Sequence, residues 1–294
     1  MSSGNGHPPG ELRAFVANYL GRSSVVFECG GYRFSFNQSP AVITGSADQF
    51  KGTFTSTTEV LVGGVTPGRV NRVKAIIGRI CWLLSLAGTC RVVCYGHEYP
   101  NGSGLSHFIS AFGTARLFRP AIEIKDNSKV KMFVEQTYEA YRRLEKSRKL
   151  NVIFDYLIQA DREDQPTEIR LILIFITLES LKDTFARSQS IPYIKGYFRK
   201  PPTKPGKAGA KYSFEELLTL MLRQVGMCRG VKRLVKLRND LIHSGLTRKP
   251  HNRQWALYAD SHGLIREYLL RLLGYKGWYS PYAFERCGSR AEIK

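Results

Sequence analysis

The hydrophobic pattern of this chain changes near residue 125, and this change limits the possible folds more than any other feature of the sequence. Before it, short runs rich in Val, Phe, Tyr and Thr are separated by Gly, Ser and Pro, which is typical of strands joined by turns. After it, apolar residues recur every three or four positions along extended segments, as on the buried face of a helix. The sequence therefore predicts an α+β protein, with a β-rich domain at residues 1–125 and an all-α helical bundle at residues 126–294.

The same patterns place the individual elements. Strands are expected near residues 25–29, 32–36, 50–61 and 91–95. An amphipathic segment near residues 70–84 is expected to form a helix that packs on the sheet. Its other faces carry cations that either contact phosphates or form an ordinary solvated surface: Arg69, Arg72, Lys74 and Arg79. Helices of the second domain are expected near residues 129–147, 150–160, 167–187, 213–227, 230–243 and 255–273.

The charge of the chain indicates an anionic partner. There are 44 Lys and Arg residues against 24 Asp and Glu residues, a formal net charge of +20, which is unusual for a protein that acts only on neutral metabolites. Nucleic acid is the polyanion that such a balance favours. The basic loop at residues 195–211 contains no acidic residue, so Lys204 and Lys207 are expected to contact RNA, although a solvated linker would have the same composition.

The sequence also indicates a cytoplasmic protein without a membrane-spanning segment. The first ten residues have neither the basic nor the apolar part of a signal peptide. The longest apolar run, at residues 171–178, is far shorter than the roughly 20 residues that cross a bilayer. The six cysteines show no paired spacing, so reduced thiols are expected.

The segment 231–245 carries the side chains that are expected to perform chemistry. On a helical wheel Arg238 falls near the centre of an apolar arc, where a guanidinium that stays charged needs an acceptor or an anion. Asn239 and His243 are one turn apart on the flank of this arc. Lys232 and Lys236 lie on the same edge, and Asp240 is expected to have a supporting role. Such an edge can hold a phosphodiester.

The spacing Arg238-Asn239-x-x-x-His243, near the end of a helix in an all-helical domain, resembles the R-x4-6-H motif of the HEPN superfamily, in which Asn often follows the Arg. The segment 177–181 on an earlier apolar helix is similar to the corresponding HEPN helix. The β-rich first domain, with its helix at 80–87, resembles that of ApeA-like HEPN proteins of prokaryotic defence. The resemblance implies a HEPN-like bundle that cleaves RNA as a homodimer pairing two motifs, in antiviral defence or as a toxin. It also implies that the N-terminal domain senses a protein or phage-derived trigger or positions a partner.

These residue types suit ribonuclease chemistry that uses no metal and no cofactor. RNA supplies its own nucleophile, the 2′-hydroxyl, so the enzyme needs a group that transfers protons near neutral pH and cations around the phosphate. His243 is expected to transfer the proton, Arg238 to stabilise the charge of the transition state, and Asn239 to orient the phosphate or the imidazole. The expected product carries a 2′,3′-cyclic phosphate. The alternative function is a non-catalytic RNA- or DNA-binding or dimerisation module of a toxin–antitoxin or defence system.

Glu179 is expected to hold Arg238 in place. It lies among apolar residues on the helix predicted at 167–187, as Arg238 does on its own helix. Two charges in apolar stripes suggest a contact within one chain, which would leave the outer edge of the guanidinium free for phosphate. A purely structural pair, with His243 as a surface residue, is the alternative.

Two further groups of residues have competing interpretations. The spacing Cys90-x3-Cys94-x2-His97, followed by His107, permits a zinc site. Alternation along a strand instead favours Cys90 and Cys94 as small buried hydrophobes, and no metal site is predicted. The aromatic stretch at 275–284 either stacks on bases or folds back over the helical bundle to seal its core, and core sealing is favoured because large aromatic side chains are usually buried.

Overall fold

A computed structural model describes residues 10–45, 47–50, 54–100, 102–105, 119–162, 164–202, 207, 209–244, 249–282 and 290–293. It has the predicted α+β class, with an antiparallel sheet in the first half and mostly helices in the second. The chain forms two compact units. The sheet unit comprises Met1–Arg142, Gly274–Ser280 and Arg290–Lys294, and the helical unit comprises Arg143–Leu273 and Pro281–Ser289.

The main sheet consists of six strands: β1 (Gly10–Ala17), β2 (Val25–Cys29), β3 (Tyr32–Gln38), β4 (Ser56–Val65), β5 (Val93–Tyr99) and β6 (Gly102–Leu105). Their order is β2-β3-β4-β1-β5-β6, and all neighbours are antiparallel. The four predicted strands are confirmed, although β4 and β5 both begin and end later than expected. β1 and β6 were not predicted. β1 is nonetheless internal to the sheet, and its alternate residues Leu12, Ala14 and Val16 are fully buried.

Helices α1 (Pro40–Thr44) and α2 (Val70–Gly88) also belong to the sheet unit. The predicted apolar stripe of α2 is confirmed except at Val70, which is half-buried; its other members are buried: Val73, Ile76, Ile77, Ile80, Leu83 and Leu84. Alternate side chains of the strands are buried as well: Phe27, Phe34, Phe36, Val60 and Val62. These residues alternate with the less buried Val26, Ser35 and Leu61, which therefore lie on the opposite face of the sheet.

Helix α3 (Asn127–Leu144) packs in the sheet unit through nearly all of its length. The Asn127 side chain donates to Ser24 O at 2.7 Å, and the Lys131 amine donates to Val26 O at 3.1 Å. The Phe133 ring lies 5.4 Å from that of Tyr275, which is 1% exposed. The division between the units therefore falls after Arg142, whereas the sequence placed it after residue 125.

The helical unit contains α4 (Leu150–Ala160), α5 (Thr167–Ser188), α6 (Phe214–Gln224), α7 (Lys232–Ser244) and α8 (His251–Leu272). All five helices were predicted, with ends within four residues of those observed. α5 contacts the other four and is the central helix. α6 begins with a capping box, since the Ser213 hydroxyl accepts from the Glu216 N–H at 3.1 Å and Glu216 accepts in return from the Ser213 N–H at 2.8 Å.

The second half also contains short strands, which corrects the expectation that it is all-α. β7 (Tyr193–Ile194) and β8 (Tyr197–Phe198) form a hairpin. Its two turn residues have positive φ angles, 50° at Lys195 and 80° at Gly196, as a tight two-residue β-turn requires. An antiparallel bridge between Arg199 and Lys211 continues this arrangement, so the described ends of the basic loop 195–211 are ordered by backbone pairing.

The C-terminal aromatic residues are mainly buried, but Tyr275 and Tyr279 belong to the sheet unit and not to the helical bundle, which corrects that part of the prediction. Strands β9 (Gly277–Tyr279) and β10 (Ala291–Ile293) pair with each other in the sheet unit. Tyr279 and Tyr282 are 5% and 2% exposed, whereas Trp278 is 50% exposed. Within the described parts of the chain, none of the helices has both the length and the apolar character needed to cross a bilayer.

Candidate nucleic-acid site on helices α5 and α7

Helix α7 is amphipathic in the way the sequence predicted. Leu234, Leu237 and Leu241 are buried along one face. The side chain of Arg238 borders this face and is 26% exposed. The neighbouring polar residues Lys232, Lys236, Asn239 and Asp240 are exposed. Neither lysine amine has a hydrogen bond or ion pair with a described residue, so both can contact an anion.

The predicted contact between Arg238 and Glu179 is confirmed. Arg238 donates to Glu179 Oε1 twice, from Nε at 2.9 Å and from Nη2 at 2.6 Å. A third bond runs from Nη1 to the Asn239 side-chain oxygen at 3.1 Å. These bonds use three of the five N–H groups of the guanidinium. The other two have no partner among the described residues and are available to an anion.

The pair is more accessible than the apolar pattern predicted. The Glu179 side chain is 32% exposed, and the nearby Ile176 is 40% exposed, so α5 is not enclosed on all sides. Glu179 Oε2 also accepts from Lys182. The Phe214 ring, at the start of α6, lies 4.8 Å from Arg238 Cζ and 5.3 Å from Lys182 Nζ. One carboxylate thus holds two cations against an aromatic ring, and the group keeps a net positive charge.

The structure brings together only part of the predicted site. Glu179, Arg238 and Asn239 are joined by hydrogen bonds. His243 lies in the last turn of α7, one turn beyond Asn239, but its side chain lies outside the described part of the structure. Lys207 is exposed, and Lys204 lies outside the described residues.

A cleft of about 440 Å³ adjoins Glu179 and was not predicted from the sequence. Its walls come from α5, the β7–β8 hairpin and the start of α6, and they include five aromatic residues: Tyr193, Tyr197, Phe198, Tyr212 and Phe214. Tyr193 and Tyr197 are about half exposed, at 52% and 48%. The Lys211 amine lies 3.5 Å from the centre of the Tyr197 ring. Aromatic rings interleaved with cations are the signal that could have revealed this cleft, because bases stack on rings while cations contact phosphates.

A buried polar cluster in the helical unit was also missed. The Asp161 carboxylate accepts from Tyr258 at 3.1 Å, from Tyr282, and from Arg170 at 3.3 Å. Burial raises the pKa of Asp161, and these neighbours oppose the rise. His262 lies within the same cluster, and burial, followed by the nearby arginines, lowers its pKa well below the usual value. A neutral, fully enclosed imidazole of this kind contributes to the fold and is not accessible to RNA.

Of the two cysteines near residue 90, Cys90 behaves as a buried hydrophobe, whereas Cys94 is only partly buried, contrary to the prediction. Cys90 is 4% exposed, and burial raises its pKa to about 12. Burial likewise raises the pKa of Cys94 to about 11. His97 lies 3.4 Å from the Lys74 amine. No group of three or more metal-ligating side chains occurs among the described residues, and His107 lies outside them.

No protein-family model matches this chain, and no curated protein or solved structure matches it significantly. The HEPN resemblance therefore stays a prediction that depends on the motif and its helical setting.

Proposed function

We propose that this protein is a metal-independent endoribonuclease whose active site contains Arg238, Asn239 and His243. The observation that carries the proposal is the geometry of Arg238. Glu179 fixes one edge of its guanidinium, while two N–H groups stay available on a cationic surface beside an aromatic cleft. A guanidinium held in this way is pre-organised for a phosphate, because its orientation is set before the ligand binds.

In the proposed reaction the 2′-oxygen of RNA attacks the adjacent phosphorus, and the bond from phosphorus to the 5′-oxygen breaks. One His243 removes the proton of the 2′-hydroxyl and a second protonates the leaving 5′-oxygen. Arg238 stabilises the extra negative charge that develops on the phosphate oxygens. The products are a 2′,3′-cyclic phosphate and a 5′-hydroxyl. The reaction needs neither metal nor cofactor, since the nucleophile belongs to the substrate.

Two imidazoles require two chains. Each chain has one His243, so we propose a homodimer in which two copies of α7 lie at one active site. Lys232 and Lys236 would bind the flanking phosphates, and Lys204 and Lys207 would extend this contact through the basic loop. Asp240 has a supporting role on the same helix.

The biological setting we propose is antiviral defence or toxin action in the prokaryotic cytoplasm. The described cysteines are unpaired thiols, which suits a reducing compartment: Cys29, Cys81, Cys90, Cys94 and Cys228. The sheet unit would then sense a protein or phage-derived trigger.

The test is cleavage of total RNA by the purified protein in EDTA. We expect fragments with 2′,3′-cyclic phosphate ends, and a loss of at least about 10²- to 10⁴-fold in His243→Ala. His251→Ala is the matched control, because His251 is an exposed histidine on the next helix. Equal cleavage by wild type and His243→Ala would disprove the proposed active site. Wild-type protein that binds RNA without cutting it would instead support the non-catalytic binding module.

A further inference from the structure

A second cleft, of about 820 Å³, lies in the sheet unit. Three segments enclose it: the turn between β2 and β3, the end of β4, and the beginning of α2. Its lining includes Val26 and Leu61 from the sheet face opposite the buried Phe34 and Val60. Pockets for small ligands usually measure about 300 to 1,000 Å³, so this cleft can hold a ligand of nucleotide size.

Three arginines line this cleft, and their side chains are unpaired among the described residues. Arg33 lies on β3, Arg69 immediately precedes α2 and Arg72 lies in its first turn; all three are exposed. The guanidinium groups of all three lack a hydrogen bond, ion pair or aromatic contact with a described residue. Elsewhere in the same unit Arg13 forms an ion pair with Glu59, in which Nε lies 3.1 Å from Oε1. No acidic residue is among the described residues that line the cleft, so none of them compensates its three positive charges.

The backbone of the cleft is also open to a ligand. Gly63 and Gly64 lie where the β1–β4 register shifts, and neither has a partner residue on β1. A side chain added at Gly31, Gly63 or Gly64 would meet no atom within 4 Å of its Cβ. Gly31 and Gly64 have φ angles of 81° and 71°, which glycine adopts without strain. Tyr32 also lines the cleft, and its buried hydroxyl has no hydrogen-bond partner among the described residues.

We propose that this cleft binds a free nucleotide that carries a di- or triphosphate. The positive charges of three arginines complement the negative charge of a polyphosphate. Each guanidinium can donate two parallel hydrogen bonds to phosphate oxygens. Val26 and Leu61 provide an apolar floor on which a base can rest. The sheet unit would then bind a small anionic ligand. This inference does not depend on ribonuclease activity.

The test is calorimetric titration of the full chain with ATP, AMP, adenosine and inorganic phosphate. We expect ATP to bind about tenfold more tightly than AMP and adenosine to show no binding, because each charge-assisted hydrogen bond contributes about tenfold in affinity. Arg33→Ala/Arg69→Ala/Arg72→Ala should weaken ATP binding by at least about 100-fold. A control with the same charge change uses three other exposed arginines: Arg22→Ala, Arg143→Ala and Arg223→Ala.

A second variant guards against misfolding of the triple variant. Gly63→Glu places a carboxylate in the open cleft and leaves all three arginines intact, and it should also abolish ATP binding. No ATP binding by wild-type protein, or equal binding by the wild type and Gly63→Glu, would overturn the proposal. A short 2′-O-methyl RNA, which cannot be cleaved, distinguishes the phosphate source. If the wild type binds this RNA but not ATP, and the cleft variants do not bind the RNA, the site contacts an RNA strand and the nucleotide proposal is wrong.

Discussion

Replacing Arg238 should separate its structural role from its catalytic role. With charge centres about 4 Å apart, the attraction between Arg238 and Glu179 is about 4 kcal/mol at an effective dielectric constant of about 20, and about 1 kcal/mol in water. The side chains are 26% and 32% exposed, so solvent screens the pair and the true value lies between these limits. Ordering the two side chains costs part of this energy. We therefore expect Arg238→Ala to lower the free energy of unfolding by about 1–2 kcal/mol.

The sequence pattern alone implied a larger loss, of about 3–5 kcal/mol, as for a carboxylate left without a partner in the core. The smaller value follows because Glu179 keeps its contact with Lys182 and with water in Arg238→Ala. Arg238→Lys should fold better than Arg238→Ala but remain nearly inactive, because an ammonium cannot bind Glu179 and a phosphate with one planar group. The double variant Glu179→Gln/Arg238→Met should recover stability without recovering RNA cleavage.

The assay combines urea unfolding with RNA cleavage in EDTA. Unfolding is followed by circular dichroism, and the four combinations of Glu179→Gln and Arg238→Met give the coupling energy between the two sites. Lys236→Ala is the matched control, because it removes an exposed, unpaired cation from the same helix and should change stability by less than about 0.5 kcal/mol. Full RNA cleavage by Arg238→Ala would refute the catalytic role. A coupling energy near zero would refute the structural one.

Three further outcomes are expected. Because the pKa of His262 is lowered in the folded protein, the unfolded chain binds an extra proton as the pH falls below about 6.5. His262 should therefore lower the free energy of unfolding by at most about 1.4 kcal/mol for each pH unit below this value. Urea unfolding compared across pH should show this loss in the wild type and in His251→Ala but not in His262→Phe. Lys204→Glu/Lys207→Glu should weaken RNA binding and reduce its salt slope by about 0.7 per lost phosphate contact, and an unchanged slope would identify a mere linker. Tyr197→Ala should weaken binding of uncleavable RNA by about tenfold if a base stacks in the cleft beside Glu179; equal affinities would exclude stacking.

Elements with a long, regular period could be predicted from the sequence. The stripes of α2 and α5 run through several turns, and each turn repeats the same information about which face is buried. The contact between Glu179 and Arg238 was also predictable, because a charge in each of two apolar stripes needs a partner. Short elements carry less information. The β7–β8 hairpin depends on the turn at Lys195 and Gly196. The surrounding sequence is rich in lysine, proline and glycine, which is typical of a loop, so the turn could not be recognised within it.

The buried cluster around Asp161 was not predictable for a different reason. Tyr282 follows Asp161 by 121 positions, and Tyr258 follows it by 97. No local period relates residues so far apart, and only tertiary packing brings them together. The aromatic cleft beside Glu179 likewise draws its walls from three separate elements.

The division of the chain into its two units has a consequence for biosynthesis. Residues 274–280 return to the sheet unit after all the helices of the helical unit have been made, and they bring Tyr275 against Phe133. A nascent chain that has emerged only as far as α8 therefore lacks part of the first unit's core, although its main sheet and α3 have long been synthesised. The sheet unit cannot reach its final packing before the ribosome has completed the helical unit. The two units should therefore mature nearly together instead of one after the other.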